Sequence, residues 1–289
     1  MQNSDSNQDK ARESGRARIA AAFRKAQQGQ TAALMPYFTL GYPDRETSMA
    51  VVEAIAPYSD LIELGVPFSD PLADGPTIQR STQVALEMGT TTAGCLEMVR
   101  VLRQRGLQMP VLLMGYYNPI LAYGEERYVQ DAAAAGADGF IVPDLPTEEA
   151  GELERLATAA GMALIHFLAP TSRAARIAAV TAQAQGFIYL ASLTGVTGAR
   201  RSLQQDLADF VARVRAQTSI PLAVGFGIST PEQAAAVGRL ADGVIVGSAL
   251  INATQLAHDK PQAAAQFVRS LQEALHKAIG PFDSAQGMD

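Results

Sequence analysis

From residue 33 onward, short apolar runs alternate with longer, alanine-rich segments whose hydrophobic residues recur at helical spacing. Short apolar runs bounded by turn residues are typical of buried parallel strands. The predicted strands span residues 34–40, 60–64, 111–114, 139–142, 163–168, 186–190, 222–225 and 243–246. The helices predicted between them include 44–57, 92–105, 125–135, 147–160, 172–183, 203–217 and 231–240.

Regular alternation of strand and helix predicts parallel strands that are joined by crossover helices. Eight such units in a chain of 289 residues predict an α/β fold of the closed (β/α)8 kind, a TIM barrel. An amphipathic segment at 16–28 predicts an extra N-terminal helix. The alternative is an open, doubly wound sheet, but no GxGxxG sequence follows the first predicted strand.

Composition and charge limit the domain organisation and the partners. Hydrophobic residues make up 48% of the chain, which is enough for one large core, and no low-complexity linker divides it. We predict a single domain over residues 16–280, a disordered N-terminal tail at 1–15 and a C-terminal tail at 281–289. The net charge of −6 argues against nucleic acid or an anionic membrane as a partner.

Location and metal binding are predicted from what the composition lacks. No apolar stretch approaches the ~20 residues that span a bilayer, and the first residues contain no apolar run typical of a signal peptide. The single cysteine, Cys95, excludes an internal disulfide, so we predict a cytoplasmic protein. His166, His258 and His276 show no metal-ligand spacing, and no metal site is predicted.

Glycine-rich turns follow the last three predicted strands. They comprise residues 194–198, 225–229 and 247–250, and the last two lead into helix starts. Backbone N–H groups at such positions bind phosphate in many barrels, without needing a cation. Turns that merely connect elements are the alternative, but three at consecutive strand ends favour a phosphate site.

Glu63 is the leading candidate for acid–base chemistry. By the two-residue period of a strand, it shares a face with Leu61 and points into the barrel. A carboxyl group that is buried there has a raised pKa, which suits a group that gives and takes a proton. The loop that follows, 65–77, contains Asp70 and Asp74. Spacing alone does not decide which of them returns to the site, since both also fit ordinary turns.

Several apolar and aromatic residues lie at or near the ends of other predicted strands. Taken alone, they are more typical of core packing than of a binding slot. These residues are Tyr37, Leu113, Ile141, Tyr189 and Phe226. The loop 191–201 is long for a connection of this kind, and it is either a mobile lid or a surface loop.

The residues at these positions resemble those of the tryptophan synthase alpha chain family. The most specific part is residues 63–76, ELGVPFSDPLADGP. The stretches 36–43, 116–119, 194–198 and 225–227 are also similar to the family, and the likeness extends from about residue 16 to about residue 277. Two positions depart from some members of the family: Leu193 stands in place of Arg, and Tyr37 in place of Phe.

The resemblance implies a lyase of tryptophan biosynthesis. Its reaction is the retro-aldol cleavage of indole-3-glycerol phosphate to indole and D-glyceraldehyde 3-phosphate. It implies that Glu63 protonates indole C3 and handles the proton of the glycerol hydroxyl, and that Asp74 accepts the indole N–H. Carboxyl groups in two different environments can hold the separate pKa values that such roles need.

The resemblance also implies a set of binding residues and a partner. Phosphate contacts are expected from Thr197, Gly198, Gly227, Gly247 and Ser248. Tyr37, Leu113, Ile141 and Phe226 are expected to enclose the indole, with Tyr189 at the border of the site. Asp70, Pro71 and Asn118 would contact a beta chain in an alpha2-beta2 heterotetramer. Pyridoxal phosphate is expected on that beta chain, and no cofactor on this one.

Other functions remain open at the level of sequence. A stand-alone lyase that releases free indole would share every catalytic residue. A non-catalytic partner of a beta chain would not need Glu63 and Asp74. A phosphosugar isomerase would match the glycine turns but not the acidic loop.

Overall fold

The computed structural model describes residues 13–191, 200–225 and 227–277, with backbone only at residues 200–204. Eight parallel strands form a closed barrel in chain order, so the predicted fold is confirmed. The strands are β1 (Ala33–Thr39), β2 (Ile62–Gly65), β3 (Val111–Met114), β4 (Gly139–Ile141), β5 (Ala163–Leu168), β6 (Ile188–Ala191), β7 (Leu222–Gly225) and β8 (Gly243–Val246).

Twelve α-helices in the described ranges surround or close the barrel. They are α1 (Gly15–Gln28), α2 (Arg45–Ile55), α3 (Pro76–Glu87), α4 (Thr92–Gln104), α5 (Tyr117–Tyr123), α6 (Glu125–Ala135), α7 (Gly151–Ala159), α8 (Ala174–Gln183), α9 (Arg200–Arg215), α10 (Pro231–Gly238), α11 (Ser248–Gln255) and α12 (Lys260–Lys277). The predicted set omits α3, α5, α11 and α12. In this part of the chain, no helix is both long and apolar enough to cross a membrane.

Strand register separates an inner from an outer layer of side chains. Tyr37 of β1 pairs with Glu63 of β2, and Glu63 pairs with Leu112 of β3. Leu61, Leu112 and other alternate residues form one buried cluster inside the barrel. The residues between them, such as Leu64, belong to a second cluster that packs against the helices.

The extra N-terminal helix closes the lower end of the barrel. Ile19 and Phe23 of α1 belong to the interior cluster, and the Phe23 ring lies 5.6 Å from that of Phe187. Arg18 Nε lies 2.8 Å from a carboxylate oxygen of the buried Asp138, which also accepts a hydrogen bond from Arg103. Substrate access is therefore left to the upper end, where the strands terminate.

The start of α7 differs from the prediction. The helix begins at Gly151 rather than at Thr147, because residues 147–149 form a turn in front of it. The buried Thr147 hydroxyl lies 3.2 Å from Nδ1 of His166, a buried residue of β5. Burial lowers the pKa of His166, in keeping with a neutral structural histidine.

Candidate active site

Glu63 lies on the inner face of β2, completely buried. Neither of its carboxylate oxygens has a hydrogen-bond partner among the described residues. Because burial penalises the charged form, the pKa of Glu63 rises to about 8. A carboxyl group in this state keeps its proton at neutral pH, and its pKa is close enough to neutrality for the proton to be donated readily.

Asp74 is in the loop between β2 and α3, and it is only half-buried. Burial raises its pKa to about 6, while a hydrogen bond from the Tyr116 hydroxyl acts in the opposite direction. The backbone N–H of Asp74 donates to Pro71 O at 3.1 Å, and Gln79 Nε2 donates to Asp74 O at 2.8 Å. Above pH 6, Asp74 is therefore largely a carboxylate, whereas Glu63 stays protonated to higher pH.

Two buried tyrosines connect these carboxyl groups. The charges of Glu63 and Asp74 both raise the pKa of Tyr37 and of Tyr189, although burial is the larger cause in each case. Tyr37 pairs with Glu63 across β1 and β2 and lines the same cavity as Asp74, so this tyrosine borders both carboxyl groups. Tyr37 stands where some members of the resembling family have Phe, and its additional hydroxyl group lies 3.3 Å from Thr39 Oγ1, within hydrogen-bond distance.

Each tyrosine lies over a glycine of the adjacent strand. A Cβ atom built on Gly65 would lie 2.0 Å from the Tyr37 hydroxyl oxygen. One built on Gly225 would lie 2.2 Å from that of Tyr189. Glycine at these strand ends therefore leaves room for the two rings above the barrel core.

A cavity of about 270 Å³, its open mouth included, lies beside Asp74. Its lining residues are Tyr37, Val66, Phe68, Pro71, Asp74, Thr82, Met114, Gly115, Tyr116 and Pro143. Most of these residues are apolar or aromatic, while Asp74, Thr82 and the tyrosine hydroxyls add polar groups, which suits a flat apolar ring with one polar edge. Glu63 is not among them, because it lies deeper in the barrel.

Leu113 requires a correction. The structure places it on the outer face of β3, fully buried against the helices. The reason is register: Leu112 pairs with Glu63 and Gly139, and the two-residue period then turns Leu113 outward and Met114 inward. Met114 lines the cavity in its place, whereas Ile141 belongs to the interior cluster.

The predicted phosphate-binding positions are described only in part. Gly227, after β7, has a positive φ of 75° and is exposed, and Gly247 and Ser248 lie at the start of α11 after β8. Gly247 also allows a close approach of Tyr37, since a Cβ atom there would lie 3.3 Å from the ring. Thr197, Gly198, Phe226 and Leu193 lie outside the described residues, as does most of the loop 191–201.

The residues that were predicted to contact a partner chain are at the surface, on the same side as the cavity. Asp70 and Asn118 are exposed, and Pro71 is half-buried at the cavity wall. Sequence reasoning did not single out Leu72, which follows Pro71 in the loop and is 92% exposed, or Leu121 on α5, which is 49% exposed. Exposed leucines carry no distinguishing signal in the sequence.

Comparison with known proteins decides the family. The family model described as tryptophan synthase alpha chain matches residues 23–279. The tryptophan synthase alpha chain of Chloroflexus aurantiacus is 53% identical over 261 residues, covering 89% of this chain and 98% of that one. The crystal structure of the tryptophan synthase alpha chain from Legionella pneumophila matches with a TM-score of 0.84 at 37% identity, covering 92% of this chain and 99% of that one.

The chain belongs to the tryptophan synthase alpha chain family. The resemblance inferred from the residue 63–76 motif is thereby confirmed. The chain is accordingly a lyase of tryptophan biosynthesis that cleaves indole-3-glycerol phosphate, and the stand-alone enzyme is not the favoured alternative. A tryptophan synthase structure from Mycobacterium tuberculosis, at 37% identity and a TM-score of 0.83, shares the fold as well.

Proposed function

We propose that Glu63 and Asp74 together cleave indole-3-glycerol phosphate to indole and D-glyceraldehyde 3-phosphate. The observation that carries this proposal is the difference between the two carboxyl groups. Burial raises the pKa of Glu63 to about 8 and that of Asp74 to about 6. Between these values, one group is an acid and the other a base, which is the division of roles that the reaction needs.

Glu63 acts first as the acid. It donates its proton to indole C3, and the ring becomes a cationic indolenine. The resulting carboxylate then accepts the proton of the glycerol hydroxyl group as the carbon–carbon bond breaks and the aldehyde forms. Its unpartnered oxygens are free to make both contacts, and no competing hydrogen bond within the described residues holds the proton back.

Asp74 accepts the indole N–H from the cavity wall. Positive charge develops on this nitrogen when C3 is protonated, and an adjacent carboxylate stabilises it. The phosphate group would lie over the turns at Gly227 and Gly247–Ser248, where the start of α11 presents backbone N–H groups. Thr197, Gly198 and Phe226 remain proposals for the phosphate and the ring.

A tryptophan synthase beta chain is the proposed partner, with Asp70, Pro71 and Asn118 at the contact and alpha2-beta2 as the proposed stoichiometry. Pyridoxal phosphate would belong to the beta chain, and this chain would act without a cofactor of its own. Indole would pass directly to that subunit. The predicted cytoplasmic location also remains a proposal.

The decisive experiment is an assay of indole release from indole-3-glycerol phosphate, with and without a beta chain. Glu63→Gln should lower turnover by at least ~10²–10⁴-fold, the usual contribution of a general acid–base group. Asp74→Asn should lower it by ~10²–10³-fold, as the loss of a charge-stabilising group does. Both variants should keep the far-ultraviolet circular dichroism spectrum of the unaltered chain.

Asp131→Asn provides a matched control, since Asp131 is a solvent-accessible carboxylate on α6 that pairs with Arg127 outside the barrel. Turnover of this variant should stay within about twofold of the original. Full activity in folded Glu63→Gln would remove that residue from the mechanism. Rapid turnover without any beta chain would favour the stand-alone lyase.

A further inference from the structure

The tip of the loop that carries Asp74 lies at the surface. Asp70, Leu72 and Ala73 are all exposed, and the hydrogen bonds of Leu72 and Asp74 backbone N–H groups stay within the loop. A carboxylate on such a segment needs a fixed neighbour if it is to meet a ring nitrogen in one position.

Tyr116 is that neighbour. It lies two residues after the end of β3 and is 6% exposed, and its hydroxyl oxygen accepts a hydrogen bond from the Ala73 N–H at 2.9 Å. Its ring lies 5.5 Å from that of Phe68, at the start of the loop. One side chain therefore contacts both ends of the segment.

The backbone at Tyr116 is itself well anchored. Gly115 N–H donates to Ile141 O at 3.0 Å across the barrel sheet. The carboxylate of Asp144 accepts the N–H of Tyr117 at 3.0 Å, on the other side of Tyr116. The hydroxyl group is thus held by the barrel and not by the loop that it contacts.

We propose that Tyr116 is a positioning residue that fixes the Asp74 carboxylate by bridging it to the Ala73 N–H. A phenolic hydroxyl has one proton to donate and two lone pairs to accept with, so it can accept from Ala73 and donate to Asp74 at once. The donated bond stabilises the carboxylate form. This role deepens the proposed function and rests on it, since it concerns the residue assigned to the indole N–H.

The other ionisable groups around Asp74 act in the same pocket. The charge of Asp74 raises the pKa of Tyr37 of β1 and of Tyr189 of β6, and the charge of Glu63 of β2 raises the pKa of both tyrosines as well. Asp144, after β4, acts on Tyr116 itself. Tyr116→Phe leaves all of these side chains in place and removes only the bridging hydroxyl.

The test compares Tyr116→Phe with Tyr117→Phe. Tyr117 is adjacent, and its hydroxyl donates instead to Glu125 Oε1 at 2.8 Å, so the control removes a similar bond outside the pocket. The first measurement is the titration of the Asp74 carboxyl carbon by NMR in the free enzyme, with Asp74→Asn to assign the signal. The second is the pH profile of kcat/KM for cleavage of indole-3-glycerol phosphate.

Loss of the donated bond should move the Asp74 titration upward by about one pH unit. The acid limb of kcat/KM should move with it. Activity should then fall about tenfold near pH 5 and stay within about twofold of the original at pH 8. Tyr117→Phe should change neither. In the original chain, the Ala73 amide hydrogen should exchange slowly with solvent, and Tyr116→Phe should speed its exchange.

An unchanged titration and an unchanged acid limb in Tyr116→Phe would overturn the role of Tyr116, while an inactive Asp74→Asn would still uphold the proposed function. Full activity in Asp74→Asn would instead overturn the proposed function, and the NMR titration would still decide what Tyr116 does. Rapid exchange of the Ala73 amide in the original chain would overturn the bridge without requiring any variant to fold.

Discussion

At the scale of single residues, the site depends on two carboxyl groups with unequal surroundings. Glu63 belongs to a strand and has no hydrogen-bond partner among the described residues, whereas Asp74 belongs to a loop and has one in Tyr116. Burial raises both pKa values, but the hydrogen bond offsets part of the effect on Asp74. The separation between the two groups therefore comes from local contacts.

The buried Glu63 should make the stability of the chain depend on pH. Its pKa is about 8 in the folded chain against a usual 4.5, so between these values the folded state holds a proton that the unfolded state has lost. Stability due to this group is therefore lost as the pH rises from about 4.5 to about 8. Glu63→Gln should be more stable than the original chain at pH 9, by on the order of a few kcal/mol.

Urea unfolding at pH 5, 7 and 9 measures this difference. Glu126→Gln is the control, because Glu126 is an exposed glutamate on α6. The advantage of Glu63→Gln should grow with pH, and that of Glu126→Gln should not. A difference that is the same at all three pH values would contradict the buried, protonated state of Glu63.

At the scale of helices and strands, the hydrophobic pattern predicted the barrel and four of its eight strands residue for residue: β3, β5, β7 and β8. Short apolar runs between turn residues carry strong information because they must pair in the barrel wall. The pattern also placed Glu63 and Tyr189 inside, because alternation along a strand leaves only two faces.

Other features depend on contacts that no local pattern contains. Leu113 and Met114 are both apolar, and only the pairing of β3 with its neighbours decides which one faces the cavity. The start of α3 at Pro76 lies within a segment rich in Pro, Gly and Asp, which is typical of loops. The contact of Tyr116 with Ala73 joins residues 43 positions apart, so it could not be predicted from spacing.

The glycine at the end of β2 gives a prediction at this scale. Gly65→Ala should force the Tyr37 ring away, because the added Cβ would lie 2.0 Å from its hydroxyl oxygen and 2.5 Å from Cζ. Overpacking of this kind costs ~1–3 kcal/mol. Gly151→Ala is the control, since a Cβ atom there meets nothing within 4 Å. The midpoint of thermal unfolding should fall for Gly65→Ala and not for Gly151→Ala. Equal midpoints would mean that the Tyr37 ring moves aside without a cost in stability.

At the scale of the whole molecule, α1 and the barrel are joined by a buried charge. Asp138 lies between Arg18 of α1 and Arg103 of α4, and it also accepts the Val111 N–H at 2.8 Å. Asp138→Asn should destabilise the chain by ~3–5 kcal/mol, because two partly buried guanidinium groups lose their shared counter-charge.

The matched control for that change is Glu273→Gln, which breaks an exposed ion pair with Arg269 on α12. Its free energy of unfolding in urea should fall by less than ~1 kcal/mol. Similar losses in the two variants would show that the link between α1 and the barrel contributes no more than a surface pair.

The exposed leucine of α5 gives a prediction about the assembly. Leu121→Ser should weaken binding of a tryptophan synthase beta chain about tenfold, because it removes an apolar contact beside Asn118. Leu256→Ser, which alters a leucine that is 94% exposed after the end of α11, should leave the affinity unchanged. Isothermal titration calorimetry distinguishes the two, and equal affinities would place the interface elsewhere.

Closure of the lower barrel end by α1 makes the catalytic chamber a blind pocket. Whatever forms beside Glu63 has to leave past the rim that bears Asp74, Leu72 and Asn118. A protein that docks on this rim would govern both arrival and departure of small molecules. The shape of the barrel thus couples the entry and exit of small molecules to the reaction itself.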